Sequence, residues 1–309
     1  MCAEGYIPAG SIDLKMTLNV YNLCFWIGNR FSYVYLQLDP PVVAKVYYTG
    51  KYQVFAESCG SVDELVENLL GVLGARLDIS EFLELAKEDR ILSLFAERYS
   101  GWRPRSTSLW WALVVGICQQ NASFKQGWRM LHEIVKSYGR TVKVGDSAVP
   151  RPPTPREVLG NTDALLHAGV GYRAKTIINA AEALSKPDFT ESVLESPPRE
   201  AEELLKSIKG VGSYTARLAI AFSMRRYELP PVDRWLRKVA SIAYMVDEKA
   251  VEEYWVEKWG KWSALAAIAT TVALDAEPLS KAVERVKRGE LLPEPSKKPS
   301  PVNMKAFCV

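Results

Sequence analysis

The chain has 309 residues, 48% apolar and 24% charged, with 19 Gly and 18 Pro, an ordinary globular balance that excludes a disordered, collagen-like or low-complexity protein. A chain of this length suits about two domains and buries roughly 75% of the surface it exposes when unfolded. Lys and Arg number 39 against 36 Asp and Glu, a net charge of +3, so any basic, nucleic-acid-binding face must come from local arrangement.

Residues 1–11 hold no apolar run of signal-peptide length, and no segment approaches ~20 apolar residues. Five cysteines (Cys2, Cys24, Cys59, Cys118 and Cys308) are scattered with no Cys-x-x-Cys spacing. That pattern gives no support to a disulfide framework, a zinc ribbon or an iron-sulfur loop, and the expectation is a reduced, intracellular, cytoplasmic protein with no membrane partner. Residues 15–57 alternate with period two: Met16, Leu18 and Val20 against Thr17, Asn19 and Tyr21, then residues 33–38, then two runs flanking Thr49-Gly50-Lys51. The pattern predicts an N-terminal antiparallel sheet domain over residues 1–60. At Ser61-Val-Asp-Glu64 a capping box opens a helical period, and further boxes stand at Ser123-Phe-Lys-Gln126 and Thr154-Pro-Arg-Glu157. Residues 61–290 therefore read as helices with short turns, residues 142–153 as a linker, and the Pro-rich residues 291–309 as a mobile tail. The class is α+β.

The most informative segment is Leu204-Leu-Lys-Ser-Ile-Lys-Gly-Val-Gly-Ser-Tyr-Thr-Ala216, a helix, a Gly-Val-Gly turn and a second helix. Gly210 and Gly212 permit φ > 0, and Ser213 can cap the second helix. Backbone N–H groups gathered at such a terminus, from Gly210, Val211, Gly212 and Ser213, make a seat for one phosphate without reading sequence. A plain tight helix connection is the competing reading. Further on, Leu229-Pro-Pro-Val-Asp233 holds an extended chain up to an Asp at an N-cap position, where amides and the helix dipole favour an ionised carboxylate. Beside a phosphate seat, such a group suits cleavage of an N-glycosidic bond, by orienting water and stabilising positive charge on the sugar.

These blocks, with Ile117-Cys-Gln-Gln-Asn121 and Gly169-Val-Gly-Tyr-Arg-Ala-Lys175, resemble the helix-hairpin-helix DNA glycosylases, in the branch of 8-oxoguanine DNA glycosylase and 3-methyladenine DNA glycosylase II. The resemblance runs from the N-terminal sheet to about Asp275. It implies two helical lobes with a cleft between them, damaged double-stranded DNA as partner, action as a monomer, and Asp233 as the catalytic residue. It further implies that carbonyls of Lys206, Ile208 and Val211 hold a structural Na⁺ or K⁺, with no other cofactor. Asn121 matches a residue that fills the gap left by the extruded base, while Tyr172 and Arg173 match a wedge and a reader of the orphan partner.

The sequence departs from the oxoguanine pattern in two places. Tyr214 stands where that branch has a catalytic Lys, which implies base release by water without strand cleavage; Lys209 is a weak substitute. Ala267 and Thr271 replace the Gln and Phe that hold oxoguanine. Trp262 instead matches a stacking Trp of the alkyladenine branch, and Tyr214, Leu218, Phe25 and Trp26, with Trp110 and Trp111, are further candidates for pocket walls. The reading is a monofunctional glycosylase of base-excision repair acting on alkylated or deaminated purines. The alternatives are an 8-oxoguanine or mismatch glycosylase with an altered pocket, or a non-catalytic hairpin DNA-binding protein.

Overall fold

The computed structural model describes residues 1–8, 10, 12–21, 23, 27–57, 60–293 and 298–307. The N-terminal part comprises β1 (Ala3–Tyr6), α1 (Leu14–Asn19), β2 (Phe31–Leu38), β3 (Pro41–Tyr47), β4 (Lys51–Ala56) and α2 (Val62–Leu73). The strands form one antiparallel sheet in the order β1-β4-β3-β2, with Ala3 opposite Val54, Val43 opposite Phe55 and Phe31 opposite Tyr47. α2 lays Leu65, Leu69 and Leu73 against Val34, Ala44, Val46 and Val54 of this sheet. The stretch around Met16, read as a strand, is helical: Asp13 caps α1 by accepting the Met16 N–H at 2.8 Å. Alternation over five residues is too short a pattern to separate strand from helix.

The remainder is mostly helical: α3 (Ser80–Lys87), α4 (Ser93–Arg98), α5 (Leu109–Gln119) and α6 (Phe124–Tyr138), then β5 (Thr141–Val144) and β6 (Ser147–Pro150). Next come α7 (Pro155–Gly160), α8 (Asp163–His167), α9 (Arg173–Leu184), α10 (Pro187–Glu195), α11 (Pro198–Lys206) and α12 (Ser213–Met224). α13 (Arg234–Tyr244), α14 (Val251–Trp259), α15 (Ser263–Ala273) and α16 (Leu279–Arg288) complete the set. The capping boxes at Ser123 and Thr154 are both formed, with Pro155 in the first turn of α7. Residues 142–153 are largely an antiparallel hairpin, β5 and β6, rather than a linker. It survives its prolines because it is short and packs Val142, Val144 and Val149 against Tyr33 and Val43 of the main sheet.

Every residue of α5 is buried, and so are all but Thr271 in α15. These two helices and α12 form the centre of one large core. A helix apolar all round is what an interior position demands.

The C-terminal segment also differs from expectation. Residues 298–307 return to the core: Met304 is 1% exposed, and Phe307 packs on Phe124 and Trp128 with ring centroids 6.1 Å from each. The Tyr21 N–H donates to Pro301 O at 2.7 Å. The tail closes on a short 3₁₀ turn, Met304–Phe307, whose two ends are the apolar anchors that dock it. Cys118 is a buried free thiol whose pKa burial pushes up to about 12. Cys2 is disulfide-bonded, a link that the cysteine spacing did not indicate. No helix among the described residues is long and apolar enough to cross a membrane.

Candidate active site

The hairpin between α11 and α12 is built by local sequence and braced from outside. Val211 N–H closes the turn on Ile208 O at 3.0 Å. Gly210 has φ +97°, and a Cβ there would stand 2.3 Å from Thr176 Oγ1 of α9, so both backbone and packing require glycine. Gly212 differs from expectation: its φ of −105° and ψ of 177° are extended, and a Cβ would meet nothing within 4 Å. Gly212, not Ser213, is the N-cap, and no side chain caps α12. The first amides of α12 are thus left for an external acceptor. Gln120 Nε2 donates to Gly210 O (3.1 Å) and Thr215 Oγ1 (2.8 Å), and Asn179 Nδ2 donates to Lys209 O (2.9 Å). The Ser207 N–H is occupied by the Glu203 and Leu204 carbonyls. Lys206, Ile208 and Val211 follow at the negative end of the α11 dipole, and their neutral carbonyl oxygens are donor chemistry suited to a monovalent cation.

Pro230 and Pro231 deliver the chain to Asp233, the N-cap of α13, which accepts the Leu236 N–H at 2.7 Å. The expectation of a readily ionised carboxylate is corrected. Burial pushes its pKa above the ordinary carboxyl value, although the Leu236 and Trp235 amides and Arg237 act against the shift. Tyr21 and Tyr214 stand close enough to Asp233 that their hydroxyl pKa values are raised too, by burial first and by its charge second. Asp233, Tyr21, Tyr214, Leu218, Ala267 and Thr271 line a pit of about 40 Å³, enough for a water molecule. Asp233, Tyr21 and Tyr214 also border a cleft of about 710 Å³, whose other walls include Gln119, Phe124, Trp235, Asp275 and Ser300.

Tyr214 and Leu218 therefore stand beside Asp233, and Trp262 does not. Its ring packs on Tyr227 and Phe82, 6.3 Å away in each case, and it lines neither cavity at Asp233. Trp262 ends a 3₁₀ turn before α15, whereas Ala267, Ile268 and Thr271 form the helix stripe toward Asp233. Trp110 and Trp111 are core as well; Trp110 Nε1 donates to Pro153 O at 2.8 Å. Phe25 and Trp26 lie outside the described residues. Sequence reasoning passed over Tyr21, Trp235 and Gln119. Trp235, two residues past Asp233, was a usable signal. Tyr21 was not, because its place follows from a left-handed turn, φ +44°, after α1.

On the outer side the structure brings Asn121, Tyr172 and Arg173 together. Asn121 sits at φ +47° between α5 and α6, and its Nδ2 donates to Tyr172 Oη at 3.4 Å. The Tyr172 ring is 61% exposed, as a wedge requires. Arg173 is 9% exposed, stacks 4.5 Å from that ring and donates to Gln120 O. Its Nη2 is held by Gln120 O and its Nε is buried without a partner, so the arrangement lets Arg173 brace the Tyr172 ring. The Lys209 side chain is not among the cleft walls.

No protein-family model matches the chain. A probable N-glycosylase/DNA lyase of Methanothermobacter thermautotrophicus is 22% identical over 196 residues, 57% of this chain and 62% of the relative. The chain thus matches less than two thirds of that relative's length. The 3-methyladenine DNA-glycosylase of Archaeoglobus fulgidus superposes with a TM-score of 0.71 at 20% identity, over 87% of this chain and 96% of the other. The apo 8-oxoguanine glycosylase/lyase of Clostridium acetobutylicum gives 0.66 at 18% identity, over 84% and 92%. The chain therefore has the fold of the helix-hairpin-helix DNA glycosylases, an N-terminal antiparallel sheet followed by helices.

Proposed function

We propose that this protein is a DNA N-glycosylase of base-excision repair, which flips an alkylated or deaminated purine out of double-stranded DNA and releases it by hydrolysis. The observation that carries the reading is Asp233, half-buried at a helix N-terminus, in the walls of both a water-sized pit and a base-sized cleft. Clefts of this volume are typical for small-ligand sites.

The uncapped amides of α12 take one DNA phosphate, and the Lys206, Ile208 and Val211 carbonyls would hold a Na⁺ or K⁺, which would supply positive charge beside it. Asn121 and Tyr172 fill the space that the flipped nucleotide leaves. With the base in the cleft, the Asp233 carboxylate accepts a proton from the water beside it and stabilises the cationic sugar as the N-glycosidic bond breaks. A raised pKa improves Asp233 as a proton acceptor. Tyr214 carries no amine and its hydroxyl stays protonated, so it forms no Schiff base, and the strand stays intact. The protein acts as a monomer on the DNA inside the cell.

The test is an oligonucleotide panel carrying methylated, deaminated and oxidised purines, developed with and without alkali. Base release with strand scission only after alkali is the expected result. Release of no base by the wild type, with Asp233→Asn binding DNA equally well, overturns the reading in favour of a DNA-binding protein. A covalent DNA adduct trapped by borohydride overturns the monofunctional part alone.

A further inference from the structure

Arg217 stands on α12 between Tyr214 and Leu218 in sequence, yet it lines neither cavity at Asp233. Its guanidinium is committed to three other segments. Nε donates to Glu202 Oε1 of α11 at 2.9 Å, while Nη1 donates to Glu252 Oε1 of α14 at 2.6 Å and to Pro230 O at 3.2 Å. The Arg217 and Glu202 side chains are 16% and 7% exposed, so these bonds are largely shielded from water. Pro230 O also accepts the Val232 N–H at 2.9 Å, which makes a three-residue turn centred on Pro231 immediately before Asp233. The other side of Asp233 belongs to the same network. Glu252 Oε2 pairs with Arg237 Nη2 at 3.6 Å, and the Arg237 N–H donates to Asp233 O at 3.0 Å in the first turn of α13. Arg217 thus reaches the backbone before Asp233 directly, and the helical turn after it through Glu252 and Arg237. It does so from α12, the helix whose uncapped amides are the phosphate seat. A buried ion pair adds little net stability, since desolvation offsets the attraction. What it fixes is geometry, because the guanidinium donors lie in one plane at set angles.

We propose that Arg217 is a positioning residue that sets the place of the Asp233 carboxylate relative to the phosphate seat of the hairpin. The inference rests on the glycosylase reading above: a strand gripped at the hairpin presents its sugar at one height, and Arg217 locks the carboxylate to that height. A general base must stand within hydrogen-bond reach of its water, so a small displacement costs rate. Because Arg217 lines neither cavity, its loss slows base release without weakening DNA binding.

The experiment measures single-turnover base release from the methylated, deaminated and oxidised duplexes of the panel above. The chains are wild type, Arg217→Gln, Arg217→Lys and Glu252→Gln, each also combined with Asp233→Asn, and melting curves set the assay temperature below every transition. Arg217→Gln lowers the rate at saturating enzyme by about tenfold to a hundredfold, while the enzyme concentration giving half that rate moves less than about twofold. Arg217→Lys keeps the charge without the planar fork and recovers part of the rate. Glu252→Gln leaves the Arg217–Glu202 pair in place and gives a smaller loss. In the Asp233→Asn background, Arg217→Gln costs at most about twofold more, because a positioning residue acts only through the group it positions. If Arg217→Gln does not fold, Arg217→Lys and Glu252→Gln decide by the same comparison. Release of no base by the wild type overturns the glycosylase reading and this one with it. Release by the wild type overturns this inference alone if the folded variants match its rate, lose only DNA affinity, or show the same loss in both Asp233 backgrounds.

Discussion

The hairpin and the cleft meet at Tyr214, yet they are assembled in opposite ways. The hairpin is one stretch of about a dozen residues whose shape is set by a helix end, one obligatory glycine and one uncapped helix start. The cleft is drawn from remote segments: Tyr21 after α1, Gln119 at the end of α5, Asp233 before α13, Thr271 and Asp275 around the end of α15, and Ser300 in the tail. A site that binds the backbone common to all DNA can be a local motif. A site that selects one base needs walls on several sides, and only tertiary packing supplies them.

This contrast can be broken by substitution. The largest effect is expected at Asp233: Asp233→Asn should cost about 10²- to 10⁴-fold in the rate of base release, the usual worth of a general base, while DNA affinity stays near wild type in a binding titration. Next is Trp262→Ala, which removes a buried aromatic and should cost about 3–5 kcal/mol of stability while leaving the ranking of excised bases unchanged; an altered ranking would return Trp262 to the pocket. Gly210→Ala forces a side chain into a left-handed conformation and against Thr176, at about 1–3 kcal/mol, and should weaken DNA binding together with the melting temperature. Gly212→Ala, two residues away, should stay within about 0.5 kcal/mol of wild type, because its backbone is extended and its surroundings are open. A large loss at Gly212 would show that DNA approaches that Cα closely.

Asp233 also gives a pH prediction whose sign follows from burial. Because its folded pKa is raised, the neutral form favours the fold: the contribution is full below the unfolded pKa and is lost as pH rises through the folded one. At neutral pH the ionised group therefore costs stability. Asp233→Asn, which keeps a good N-cap, should melt above wild type at neutral pH, with the gain shrinking in acid. Base release by the wild type should fall at a higher pH than an exposed carboxyl would impose. Melting curves at several pH values and a pH-rate profile check the two statements, and equal melting across the range would contradict the buried carboxylate.

Legibility in the sequence followed the same division. The sheet between residues 31 and 56, the capping boxes at Ser123 and Thr154, the Gly210 turn and the Asp233 cap depend on neighbours a few residues away, and all could be read. Asn121 and Tyr172 were legible as a pair only through the family resemblance, since 51 residues separate them. The errors lie where distant packing decides. Tyr21 looked like a strand residue, residues 142–153 looked like a linker, and the proline-rich tail looked mobile until Met304 and Phe307 were seen to anchor it. Trp262 was misplaced for a related reason, because an aromatic near a pocket-lining helix reads the same in sequence whether it faces the cavity or the core.

The sequence by itself determined the α+β class, the tight turn at Gly210 and the Asp at the N-cap of α13, because hydrogen bonds and φ/ψ limits within a few residues fix those features. Only the tertiary structure decided which aromatic rings stand beside Asp233, that burial raises its pKa, and that Gln119 and Asp275 share one cleft, because desolvation and cavity shape depend on residues the chain brings together from across its length.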